Sequence, residues 1–197
     1  MKGRRRARRL ALQALYELDQ SDHALEDVLR HRVVDFYLAA VEPLMAPADG
    51  DRALVLVERF MAGGAALEDA PAVATDLQLP VAVVARCQSG LTDLLPQVSY
   101  ALRLTRAVAA HRDELDRVIG QIAPEWPVAQ MAPVDRNILR LALWEIASAS
   151  SPVRVAINEA VELARLFSGE GARRMVNGAL GTFAGGKFPL ELQLSPE

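Results

Sequence analysis

Along residues 4–18, apolar side chains recur at a helical spacing. At 100° per residue, Leu10, Ala11, Ala14, Leu15 and Leu18 fall within one arc, while Arg6, Arg9, Gln13 and Tyr16 lie on the far side. The pattern predicts an amphipathic first helix. A second is expected over about 25–40, capped near Asp22. Residues 41–98 carry weaker patterning. Pro43, Pro47, Asp49 and Gly50 mark a loop, Asp51 is placed to cap a short helix ending at Gly63-Gly64, and Pro71, Pro80 and Pro96 divide the rest into short helical pieces. A long helix with room for a kink is expected over about 97–122, ended by Pro124 and Pro127. No strand alternation is evident.

The last third has the clearest pattern. Pro133 fits a first helical position, and a helix is expected from there to about Ala147. Its apolar residues (Val134, Ile138, Leu139, Leu141, Ala142, Leu143 and Ile146) span more than half the circumference, which predicts a central, mostly buried helix. Glu145 falls inside that arc, and a buried acid needs a partner such as a backbone amide or an arginine. Another helix follows Pro152, with Val155, Ile157, Ala160, Val161, Leu163, Ala164 and Phe167 inward and Arg154, Asn158, Glu162 and Arg165 opposite. After a turn at Ser168, Gly169 and Gly171, a last helix is expected over about 172–184. A loose tail follows, from 185 to 197. The fold class is therefore all-α.

Composition changes this picture in one respect. The chain has 197 residues and a net charge of −3, but Lys2, Arg4, Arg5, Arg6, Arg8 and Arg9 put six positive charges into the first ten residues. The remainder then carries about −9, so an anionic partner is expected for the basic arm only. Cys87 is the single cysteine, which rules out an intrachain disulfide and fits a cytoplasmic protein. No apolar run approaches a membrane span, and Glu17, Asp19 and Asp22 interrupt what a secretory signal would leave uncharged.

The sequence carries few of the residue patterns that catalysis or metal binding needs. His23, His31 and His111 form no metal-ligand spacing with Cys87 or one another, and no serine stands in a G-x-S-x-G elbow. Gly181–Phe188 reads G-T-F-A-G-G-K-F, one residue short of a phosphate-binding P-loop. The magnesium-holding hydroxyl is replaced by Phe188, and a helix is expected before the motif where a strand belongs. No catalytic residue, metal or cofactor is expected.

The basic helix start is more informative. Several arginines at a helix N-terminus oppose the helix dipole, a cost that reverses when a phosphate arrives. On the same face, Gln13 can bond a base edge and Tyr16 can stack on a base, the mixture that single-stranded RNA recognition needs. The alternative is a solubilising tail. The last helix adds a second basic edge: Arg173, Arg174 and Asn177 share a face with Gly178 and Gly181. Glycines there cost about 1 kcal/mol each in helix propensity. Either a ligand or a tightly packed helix approaching the backbone explains them.

Four segments carry a resemblance: R-R-R-A-R-R-L-A-L-Q-A-L-Y-E-L at 4–18, P-V-D-R-N-I-L-R-L-A-L-W-E-I at 133–146, V-A-I-N-E-A-V-E-L-A-R-L-F-S at 155–168 and M-V-N-G-A-L at 175–180. Together, and in this order, they resemble the NusB family of transcription antitermination proteins. The likeness implies two small helical bundles in one domain over 1–184. It implies binding of boxA-type single-stranded RNA jointly with the small-subunit ribosomal protein also called NusE, within an RNA polymerase antitermination complex, and no enzymatic activity. A homodimer is an option within the family. By position, the RNA face would use Arg4, Arg5, Arg6, Arg8, Arg9, Gln13 and Tyr16, with Arg173, Arg174 and Asn177 nearby. Asp135 stands where an acid meets the ribosomal protein. Residues from about 40 to 95 exceed the family's usual length and form an insertion. Gly171 and Ala172 replace a polar pair that the family often has. The rival readings are a protein-interaction module, or an accessory domain of RNA-modifying machinery.

Overall fold

The apolar pattern is realised as nine α-helices in the described residues of the computed structural model, which are 2–63 and 69–186. They are α1 (Lys2–Gln20), α2 (Leu25–Val41), α3 (Gly50–Gly63), α4 (Ala70–Leu77), α5 (Val81–Ala110), α6 (Arg112–Ile122), α7 (Pro133–Ala147), α8 (Val153–Phe167) and α9 (Glu170–Ala184). No described residue is in a strand, so the fold is all-α as expected. The tail expected beyond Gly185 lies outside the described residues from 187 onward, as do Gly64 and the last two positions of the P-loop-like motif. The motif's first four residues, Gly181–Ala184, belong to α9 and form no loop.

The structure redraws the middle of the chain. Pro96 was expected to separate two helices but stands inside the thirty-residue α5. It removes one backbone donor, four residues after Thr92, without ending the helix. The break comes instead at His111, whose φ of −111° and ψ of 24° separate α5 from α6. The His111 ring bonds the Ala107 carbonyl through Nδ1 at 2.9 Å and packs 4.9 Å from the Trp144 ring. It is a packed histidine at a helix junction.

The chain divides into two compact units, residues 24–100 and residues 1–23 with 101–197. Within the first, α2 packs on α3 and α3 on α4. The Tyr37 and Phe60 rings meet edge-on at 5.5 Å. Cys87 is buried in α5, and burial pushes its thiol pKa up. All of the insertion expected at about 40–95 falls in this unit. No described helix is long and apolar enough to cross a membrane.

In the second unit α7 is central, packed against α1, α6, α8 and α9. Ile138, Leu139, Leu141, Ala142 and Leu143 are all buried, as the wide apolar arc requires. Three polar residues of α7, Asn137, Arg140 and Glu145, are buried with them. At one end, Asp19 of α1 gathers four donors: Arg112 at 2.9 Å, Arg136 at 3.0 Å, Arg140 at 3.1 Å and Asn137 at 3.1 Å. Arg140, with its side chain only 2% exposed, turns its other edge to Asp116 in a fork of 2.7 and 2.6 Å. Burial alone would raise the Asp19 pKa. The hydrogen bond from Arg136 and the charges of Arg140, Arg112 and Arg136 together hold it below its ordinary value.

A carboxylate whose pKa is lowered by folding contributes stability above its unfolded pKa, near 4, and loses it as pH falls through the lower folded value. Thermal stability should therefore be flat from about pH 7 to 5 and fall steeply below about pH 4. In Asp19→Asn the acid limb should become shallower, and stability at pH 7 should drop by about 3–5 kcal/mol because three arginines lose their shared anion. Calorimetric melts of both proteins across this range check the expectation; identical acid limbs would refute it.

Candidate nucleic-acid interface

Helix α1 shows why the basic run is not one patch. Ala7, Arg8, Leu10, Ala11, Leu12, Ala14 and Leu15 are buried, and Arg5, Arg6, Arg9, Gln13, Tyr16 and Gln20 are exposed. The exposed set spans about 100° of the helix circumference, and it contains the expected stripe of Arg6, Arg9, Gln13 and Tyr16. Tyr16 keeps 46% of its surface, unusual for a large ring that could have packed inward.

Arg8 departs from the expectation of an RNA contact. It is 3% exposed and is spent on the core. Its Nε donates to both Glu145 oxygens at 3.1 and 2.8 Å, and its Nη2 donates to Glu145 Oε1 at 2.8 Å and to Ser151 Oγ at 3.0 Å. Ser151 in turn donates to Glu145 Oε1 at 3.0 Å. This is the arginine partner that a buried Glu145 requires. A second buried acid, Glu159 of α8, lies 3.6 Å from Arg8 Nη1 and accepts a fork from Arg5 at 3.0 and 2.7 Å. The bond from Arg5, aided by the charges of Arg5 and Arg8 and opposed by burial, holds the Glu159 pKa below the usual range. The same bond raises that of Arg5.

Two carboxylates thus balance two of the arginines. Arg5 remains about half exposed, with Glu159 beneath it. Arg4 donates to the Ser150 carbonyl at 3.1 Å. The turn that supplies Ser150 and Ser151 is tight enough to hold Ala149 at φ 52°, a left-handed conformation that a side chain adopts at some cost. Arg6 and Arg9 are exposed, and the Arg9 guanidinium lies 5.5 Å from the centre of the Phe167 ring.

Glu159 and Phe167 were not singled out by sequence. Glu159 stands beside Ala156, Ala160 and Leu163 on the buried face of α8, so an acid within an apolar arc was the available signal, as it was for Glu145. Phe167 was expected to face inward and is only partly buried.

On α9, Arg173, Arg174 and Asn177 are exposed, with Gly178 and Gly181 beside them. A Cβ added at either glycine would meet nothing within 4 Å. Tight packing against the described residues therefore does not account for them, and among those residues the backbone there is open. Arg174, Met175 and Gly178 also line an open cleft of about 270 Å³ with Ile122, Glu125 and the half-exposed Trp126. Asp135 stands at the other end of α7 from Glu145, in the first turn. It is partly buried, and its Oδ1 has no hydrogen-bond partner among the described residues. The structure thus keeps it apart from the arginine end of α1. Among the described residues no group of His, Cys, Asp and Glu is arranged to hold a metal.

Residues 88–185 match the NusB family. The transcription antitermination protein NusB of Dehalococcoides mccartyi is 35% identical over 178 residues, which cover 90% of this chain and 86% of the relative. That of Chloroflexus aggregans is 32% identical over 91% of this chain and 85% of its own length. The NusB of Desulforudis audaxviator reaches 51% identity over 84 residues, 42% of this chain and 61% of the relative. Among solved structures, Thermotoga maritima NusB superposes with a TM-score of 0.57 at 21% identity, covering 94% of this chain and 93% of that one, a likeness of fold. Identity of this extent over nine-tenths of the sequence establishes that the chain belongs to the NusB family.

Proposed function

We propose that this chain is an RNA-binding transcription antitermination factor of the cytoplasm, acting by binding and not by catalysis. Its ligand is a boxA-type single-stranded RNA, bound jointly with the ribosomal protein NusE in support of antitermination and ribosomal RNA transcription. The observation that carries this reading is the exposed stripe of Arg6, Arg9, Gln13 and Tyr16 on a helix whose opposite face is locked into the core by Arg8. Phosphate donors, a base-edge group and a stacking ring are thereby held on one rigid surface, so little ordering is required when a strand arrives. Arg173, Arg174 and Asn177 extend the same chemistry, and the open backbone at Gly178 and Gly181 lets a strand come close. The relatives' name, transcription antitermination protein, supports the antitermination part of this reading.

Removing the whole basic arm would confound the test, because it would strip Arg8 from Glu145. Breaking that buried pair, as in Glu145→Gln, should cost about 3–5 kcal/mol of stability, read as a lower urea midpoint; an unchanged midpoint would mean the pair contributes nothing. Arg6→Gln with Arg9→Gln is the cleaner probe of RNA. If Arg4, Arg6, Arg9, Arg173 and Arg174 each meet a phosphate, log K should fall with log salt at a slope of about −3.5. The double variant should weaken binding and reduce the slope to about −2, with its melting temperature little changed. Equal affinity and slope in fluorescence anisotropy would sink the RNA reading.

Asp135 supports the protein half of the proposal, because its buried Oδ1 has no donor among the described residues and a partner could bring one. The ribosomal protein should raise RNA affinity, and Asp135→Asn should diminish that gain while leaving binding to RNA alone unchanged. A titration with and without the partner decides this, and no gain in the unaltered protein would remove joint binding.

A further inference from the structure

The four arginines of α1 whose partners are described are held in chemically different ways. Arg8 and Arg5 meet carboxylates, which occupy their N–H groups and cancel their charge. Arg4 meets a carbonyl. Arg9 meets the face of Phe167, with its guanidinium carbon 5.5 Å from the ring centre. A ring face attracts the cation through its quadrupole but accepts no N–H at the guanidinium edge and carries no formal charge. The side chain is held while its charge and its fork of donors stay available.

We propose that Phe167 is a positioning residue for RNA, holding Arg9 ready for a phosphate of the bound strand. The inference rests on the RNA reading above and adds a residue to that site. Three observations support it. Phe167 is the last residue of α8 and is only partly buried, so its ring is not simply core filling. Arg9 is exposed and lies on the same face of α1 as Arg6, Gln13 and Tyr16, so a strand crossing that face passes it. Phe167 also immediately precedes the turn into α9, which begins at Glu170 and carries Arg173 and Arg174. Through Arg9, Phe167 thus links the α1 stripe to the turn that leads into the helix carrying Arg173 and Arg174. Long arginine side chains lose much rotamer freedom on binding, and a ring that has already restricted Arg9 lowers that cost.

The test measures anisotropy of a short labelled boxA-type RNA across a salt series, with a melt of each variant. Phe167→Leu keeps an apolar side chain but removes the ring face. It should weaken RNA binding about three- to fivefold, the size of an exposed cation–π contact, and leave the salt slope unchanged because Arg9 keeps its charge. Arg9→Gln should lower the slope by about 0.7. In the Arg9→Gln background, Phe167→Leu should have no further effect. Phe167→Trp should keep or raise affinity in the unaltered background only, which preserves the comparison if the leucine variant melts early. Unchanged affinity in Phe167→Leu, or an equal loss in both backgrounds, would overturn the positioning role while leaving RNA binding intact. Failure of the unaltered protein to bind the RNA would overturn the functional reading itself, and this inference with it.

Discussion

The buried contact between Arg8 and Glu145 is the constraint on which the rest of the candidate site depends. An acid inside the apolar arc of a central helix is tolerable only with a charged, hydrogen-bonded partner. The partner comes from α1, far away in sequence, and brings Ser151 and Glu159 into the same network. At the other end of the shared interface, Asp19 ties α1 to Arg136, Asn137 and Arg140 of α7. Two polar clusters thus flank the apolar contact between α1 and α7. They fix the rotation of α1 about its own axis, and that rotation determines which arginines face outward.

This pairing sorts a run of similar residues into different roles. By composition the six basic residues of the first ten form a single cationic arm. In the folded chain Arg8 belongs to the core, Arg5 is exposed but bound to a buried acid, and Arg6 and Arg9 face outward. The dipole penalty of cations at a helix start is offset where Glu145 and Glu159 lie close by. Where they do not, the charge remains to attract a phosphate.

Helix α9 contributes on a different physical basis. Its glycines lower helix stability and are not explained by a neighbouring helix among the described residues, where a Cβ would meet nothing within 4 Å. Their value lies in an accessible backbone beside Arg173, Arg174 and Asn177. The cleft with Trp126 borders that face and gives it an apolar flank. Phe167 ends α8 just before α9 begins, and through Arg9 it ties that end to α1.

Sequence alone determined the helical class, the extents of α1, α7 and α8, the central place of α7 and the outward stripe on α1, because each follows from local periodicity. It also determined that Glu145 needs a partner. It did not determine which one, since the pairing joins residues 137 positions apart, and no periodicity carries that distance. For the same reason Arg8 looked like its neighbours until α7 was packed against it, and Glu159 and Phe167 passed for ordinary members of α8. Pro96 misled because its cost, about 3 kcal/mol in a helix interior, is a local one that the burial of Leu91, Leu94, Val98 and Ala101 around it offsets. Which arginines bind and which hold the fold together was decided by tertiary structure, because burial, not residue type, sets whether a guanidinium must be neutralised.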